Sequence, residues 1–120
     1  MNKYISFKHK TTFEQRLTES ISIKNKFPGR IPVIVEKASR ISTDIPLIDK
    51  NKFLVPGDIT MGQFIFIIRK RLLLEPEKAL FIFVNNHLPL TTTLMREIYA
   101  THIDNDGFLY INYTSENTFG

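Results

Sequence analysis

The residues able to make or break bonds are few and poorly arranged for it. Of the three histidines, His9, His87 and His102, none stands one helical turn from another and none sits in an HExxH pattern. His102 precedes Asp104, but no serine nucleophile on a sharp strand-to-helix elbow lies nearby. The chain has no cysteine, which removes disulfides, thiolate nucleophiles and cysteine-bound zinc together. Asp104-Asn105-Asp106-Gly107 opens like a calcium loop, yet the position that needs a bidentate glutamate is Ser115. An Asx-rich turn accounts for it better. Asn112-Tyr113-Thr114 spells a glycosylation sequon inside an expected strand. The five glycines are scattered singly, so there is no phosphate-binding loop. No catalytic residue, metal site or cofactor is expected.

Binding chemistry remains. Lys52-Phe53-Leu54-Val55 is a short apolar run beside Lys50 and Lys52. At the edge of a sheet, its free amides and carbonyls could pair with an extended peptide. Thr118-Phe119-Gly120 ends the chain on a residue without a Cβ, narrow enough to thread the channel of another enzyme. Arg69-Lys70-Arg71 offers cations for carboxylates or phosphates, or simply complements a helix dipole.

These residues need elements to carry them. Phe13, Leu17 and Ile21 recur every fourth position, which predicts an amphipathic helix from Phe13 to Lys26. Thr11 with Glu14, or Thr12 with Gln15, offers its capping box. Phe27-Pro28-Gly29 ends it, and a short helix precedes Thr11. Ile31–Val35, Lys52–Val55, Leu80–Val84 and Phe108–Tyr113 read as strands from their β-branched and aromatic content. Residues 38–49 read as a loop. Thr60 and Gln63 cap a helix from Met61 to about Leu73, whose apolar face holds Phe64, Ile67, Ile68 and Leu72. A short helix follows Thr93. Two strands, a helix, then two more strands is the β-grasp order.

The 120 residues fit one compact domain, and 42% hydrophobic with 23% charged residues is globular composition. No apolar run approaches the ~20 residues of a membrane span, and Met1–Tyr4 carries no signal core. Charge is uneven: residues 1–60 carry 11 Lys/Arg against 6 Asp/Glu, residues 61–120 carry 5 against 6. The first half should face an acidic partner or an anionic membrane. The absence of a ribonucleoprotein-type motif argues against nucleic acid.

Several ordered segments are familiar. Phe27-Pro28-Gly29-Arg30-Ile31-Pro32-Val33-Ile34-Val35-Glu36-Lys37, Lys52-Phe53-Leu54-Val55-Pro56, Gly62-Gln63-Phe64, Ile68-Arg69-Lys70-Arg71 and Phe81-Ile82-Phe83-Val84-Asn85-Asn86 resemble the GABARAP-type autophagy ubiquitin-like modifiers. The ending, Asp106–Tyr110 and Glu116–Gly120, is similar to the fungal and plant branch. The resemblance covers about Phe13 to Gly120. It departs at Gly29, Phe53 and Leu90, and at Lys8–Thr12, where an acidic stretch and a proline are usual.

The resemblance implies an α+β, ubiquitin-like β-grasp with a four-stranded mixed sheet and two extra N-terminal helices. Residues 1–27 would be a helical extension packed on the domain, and 28–120 the β-grasp with a flexible C-terminal tail. It implies that Gly120 is activated, passed along the activating and conjugating enzymes and joined to phosphatidylethanolamine. A processing cysteine protease would act on any longer precursor. The protein would be cytoplasmic, and on autophagosome membranes when lipidated. Receptors with an aromatic-x-x-aliphatic motif would place the aromatic residue among Glu19, Ile23, Pro32, Lys52, Leu54 and Phe108. The aliphatic residue would lie among Phe53, Val55, Pro56, Ile59, Phe64 and Ile67. Arg30, Lys50, Lys52, Lys70 and Arg71 would draw in acidic flanks. Two other readings stay open: a β-grasp adaptor that binds peptides without conjugation, and a basic domain that binds nucleic acid or tubulin through residues 3–30.

Overall fold

A computed structural model describes residues 5–38 and 45–116. Gly120, the rest of the expected tail and residues 1–4 and 39–44 lie outside the described residues. The order is α1 (Phe7–Lys10), α2 (Phe13–Lys26), β1 (Arg30–Lys37), β2 (Lys52–Pro56), α3 (Met61–Leu72), β3 (Phe81–Phe83), α4 (Met95–His102) and β4 (Leu109–Thr114). The strands form a mixed sheet in the order β2-β1-β4-β3. β1 is antiparallel to β2 and parallel to β4, and β3 is antiparallel to β4. This is the expected β-grasp.

The caps choose the helix starts. Of the two boxes at α2, Thr12 and Gln15 form the reciprocal one; Thr60 and Gln63 do the same at α3. β-Strand alternation then divides the interior. Ile31, Val33, Val35, Val55, Leu109, Ile111 and Tyr113 join Phe64, Ile68 and Leu72 of α3 in the main core. Ile34 and Phe108 look the other way and meet Phe7 of α1 in a small second cluster, with Ile23 and Tyr110 packed against it.

α2 departs from the expected packing. Phe13 and Ile21 of its apolar stripe are exposed, whereas Arg16 and Ser20 are buried. The reason is a polar clamp. Asp106 is fully buried, and its Oδ2 accepts from Arg16 Nε at 2.8 Å and from Tyr110 Oη at 2.5 Å. Its Oδ1 accepts from the Phe108 N–H at 2.9 Å, and its carbonyl accepts from Ser20 Oγ at 2.5 Å. A buried charge must be paired, and this pairing rolls α2 onto its polar side. Gly107, at φ +90°, completes the turn, and a Cβ there would collide with Ser20 Oγ. Burial, and then the bond to Asp106, push the Tyr110 phenol far above its usual range.

α3 ends unusually. Its C-cap, Leu73, sits in the left-handed region at φ 56° with 87% of its surface exposed. A left-handed conformation costs a non-glycine residue about 1–2 kcal/mol, and glycine is the usual occupant of this position. Leu73→Gly should therefore raise stability by about 1 kcal/mol, read as a higher urea midpoint with an unchanged slope.

Candidate functional site

Among the described residues β2 pairs with β1 alone, which leaves its other side as a sheet edge. Pro32 stands opposite Leu54 and has no N–H to give; the Leu54 carbonyl accepts from Arg30 Nη1 at 3.3 Å. Along this edge Lys52 and Leu54 point to the α2 side of the sheet, and Phe53 and Val55 to the α3 side.

The residues expected around an aromatic side chain gather on the α2 side. Glu19 ion-pairs with Lys52. Ile23 packs on the cluster that holds Phe108. Pro32 and Leu54 are cross-strand partners, and Leu54 is 36% exposed. The floor includes a residue that the sequence reading missed: the Phe7 ring meets Phe108 edge-on at 5.4 Å, and Lys52 Nζ lies 5.3 Å from the Phe7 centroid. Glu19 and Ile23 also line an open groove of about 660 Å³ that runs along α2 to Lys26 and Phe27.

The residues expected around an aliphatic side chain gather on the α3 side. Phe64 and Val55 are buried, and the Phe53 and Phe64 rings meet edge-on at 5.6 Å. Ile59 packs on the same core and Pro56 is half-buried. Ile67 is 40% exposed.

The expected rim cations are not all brought to this edge. Lys50 is exposed just ahead of β2, and Arg30 caps the Leu54 carbonyl. Arg71 Nε pairs with Asp49 Oδ1 at 3.1 Å. Lys70 instead stacks on Phe66, 5.1 Å from its centroid, and lines another hollow with Leu73 and Pro76.

Tyr113 fixes the approach to β2. Its hydroxyl accepts from the Ile48 N–H and donates to the Pro46 carbonyl, each at 2.8 Å. Burial pushes this phenol up to about 12, against the opposing pull of the Ile48 N–H. The native state thus holds the proton more tightly than the unfolded chain. The stability it contributes is whole below pH about 10 and is lost as pH rises toward 12.

No three His, Asp or Glu side chains converge as a metal site among the described residues. The arrangement presents a backbone edge along β2 with apolar side chains on each face of the sheet.

The family model for Atg8, described as autophagy protein Atg8 ubiquitin like, matches residues 15–120. This chain belongs to the Atg8 family. It is 58% identical over 115 residues to autophagy-related protein 8 of Mycosarcoma maydis, covering 96% of each chain. It is 55% identical over 115 residues to autophagy-related protein 8d of Arabidopsis thaliana, covering 96% of this chain and 94% of that one. The fold matches Trypanosoma brucei ATG8 with a TM-score of 0.86 at 42% identity, over 98% of this chain and 100% of that one. It matches Plasmodium falciparum Atg8, solved with a P. falciparum Atg3 peptide, with a TM-score of 0.86 at 38% identity. That match covers 94% of this chain and 98% of the other. The chain is therefore a ubiquitin-like protein of autophagy, and its fold is the ubiquitin-like fold of Atg8 structures. No described helix is long and apolar enough to cross a membrane.

Proposed function

We propose that this Atg8-family chain is a modifier joined through Gly120 to phosphatidylethanolamine, and that β2 then recruits receptors bearing an aromatic-x-x-aliphatic segment. One observation carries the recruiting half. Successive side chains of an extended strand point to opposite faces. Residues three apart therefore point to opposite faces too, and β2 offers part-exposed apolar groups to each face, Leu54 on one and Phe53 beside Ile67 on the other. An x-x spacer is what an edge-added peptide needs to reach both. The Atg3 peptide bound by the Plasmodium relative supports peptide capture by this fold.

The conjugating half rests on the family and on the terminal glycine. The carboxyl of Gly120 would be activated as an adenylate with loss of pyrophosphate from ATP, then passed to enzyme thiols as a thioester with loss of AMP. The lipid amine attacks that carbonyl, the amide forms and the thiol leaves. This chain has no cysteine, so the thiols belong to the activating and conjugating enzymes, as does that of any processing protease. The amide would hold a cytoplasmic protein on the autophagosome membrane.

An amide chemical-shift titration with an aromatic-x-x-aliphatic peptide tests the first half. The expected result is saturable shifts over Lys52–Val55, Ile23 and Ile67 with roughly micromolar affinity. Reconstitution with the two enzymes and phosphatidylethanolamine vesicles tests the second, and Gly120→Ala should leave no lipidated species. Equal lipidation of that variant overturns the conjugation. Normal titration with no lipidated wild-type chain would instead favour an unconjugated peptide-binding adaptor.

A further inference from the structure

Leu73 combines two features that rarely share a residue: a left-handed backbone and a nearly bare leucine side chain. Strain and an exposed apolar group that nothing in the fold requires together point toward function. Around Leu73 lies a shallow hollow of about 810 Å³ lined by Phe66, Arg69, Lys70, Leu74 and Pro76. Phe66 is 59% exposed, with Lys70 Nζ over its ring. Arg69 donates to the carbonyls of Glu75 and Lys78, at 3.5 and 2.5 Å, so the loop after α3 is tied to the helix. The hollow is built, apolar at its centre and cationic at its rim.

Its place in the fold identifies what covers it. Leu74 also lines a second hollow with Ile45, Glu77, Lys78, Ala79 and Ser115. Ser115 is where the chain leaves β4 for the C-terminus, and four residues follow Glu116. Four residues span at most about 14 Å. A lipid amide at Gly120 would therefore hold the bilayer surface within about 14 Å of Glu116, at the end of the molecule where Ser115 and Leu74 line one hollow.

We propose, on the basis of the conjugation argued above, that the Phe66–Leu73 hollow is the surface through which the tethered protein rests on the bilayer. Leu73 and Phe66 would enter the interfacial region, and Lys70, Arg69 and Lys78 would meet anionic headgroups. The geometry gives the lipidated form a fixed attitude. The α3 end faces the membrane, and the exposed stripe of α2, on the opposite face of the sheet, looks away from it.

The chain has neither Trp nor Cys, so one indole and one thiol can be placed without competition. Leu73→Trp supplies the probe. Gly120→Cys, coupled to maleimide-bearing phosphatidylethanolamine, supplies the tether without any enzyme. On vesicles of phosphatidylcholine with phosphatidylserine, the L73W indole should shift its emission to shorter wavelength. Brominated acyl chains should quench it about twofold more than an I21W indole on α2. The difference should shrink without phosphatidylserine or in high salt. Phe66→Trp, on regular helix, repeats the measurement should Leu73→Trp fail to fold. Equal quenching of the α3 and α2 indoles overturns the contact. So does an L73W indole that changes only when the conjugating enzyme is added, since the hollow would then be a protein-docking surface. Because the chemical tether bypasses the enzymes, failed lipidation of wild-type Gly120 would count against the conjugation, and the vesicle signal would still decide the contact.

Discussion

Asp106→Ala should cost the protein about 3–5 kcal/mol of stability. The carboxylate is fully buried and the Arg16 side chain that it pairs with is nearly so. Removing one partner leaves a buried guanidinium without its counter-ion. It also strips acceptors from the Tyr110 hydroxyl and the Phe108 N–H. A loss of that size is a large share of the ~5–15 kcal/mol that holds such a domain together. Urea unfolding followed by far-ultraviolet circular dichroism measures it directly. Asp106→Asn should cost less, because its amide oxygen can still accept from the Phe108 N–H. If Asp106→Ala unfolds at the wild-type urea concentration, α2 is held by something other than this clamp.

The second large effect is on binding. Leu54→Asp should weaken an aromatic-x-x-aliphatic peptide by about 10- to 100-fold, the equivalent of one apolar contact of ~1.5–3 kcal/mol lost. Leu54 is already part-exposed on an edge strand, so the fold should survive the change. Ile67→Asp, on the α3 side of the edge, should weaken the same peptide while leaving its aromatic residue seated. Calorimetry with the parent peptide and with versions lacking either anchor separates the two. Leu54→Asp should lose most of its penalty when the aromatic anchor is already absent. Independent penalties would mean that Leu54 does not line the aromatic hollow.

Much of this architecture was legible because the relevant signals are local. The β-branched and aromatic runs at Ile31–Val35 and Lys52–Val55, and the capping boxes at Thr12 and Thr60, depend only on near neighbours. The packing of α2 was not legible in this way. Phe13, Leu17 and Ile21 make a fair apolar stripe, yet Arg16 finds its counter-ion 90 residues away. Local periodicity carries no trace of that partner. The Asp104–Gly107 segment was readable as a turn, but nothing local marked its second aspartate as an internal anion. Phe7 escaped notice for a related reason: α1 is only 4 residues long, and the ring that it stacks on belongs to the end of the chain. Lys70 entered the expected rim through the family resemblance alone; local spacing says only that it stands one helical turn from Phe66 on α3, over whose ring it lies.

The partition of the interior by the sheet has a consequence for how the two halves of the edge breathe. The α3 side of the edge is backed by the large main core. The aromatic hollow is floored by Phe7, Ile34 and Phe108 and walled by a helix latched chiefly through one carboxylate. Small, polar-latched units are where native proteins open first. An aromatic anchor seated there would slow amide hydrogen exchange throughout α2, including residues that it never touches. Occupancy of the edge would thus be registered as a quieting of the N-terminal helices.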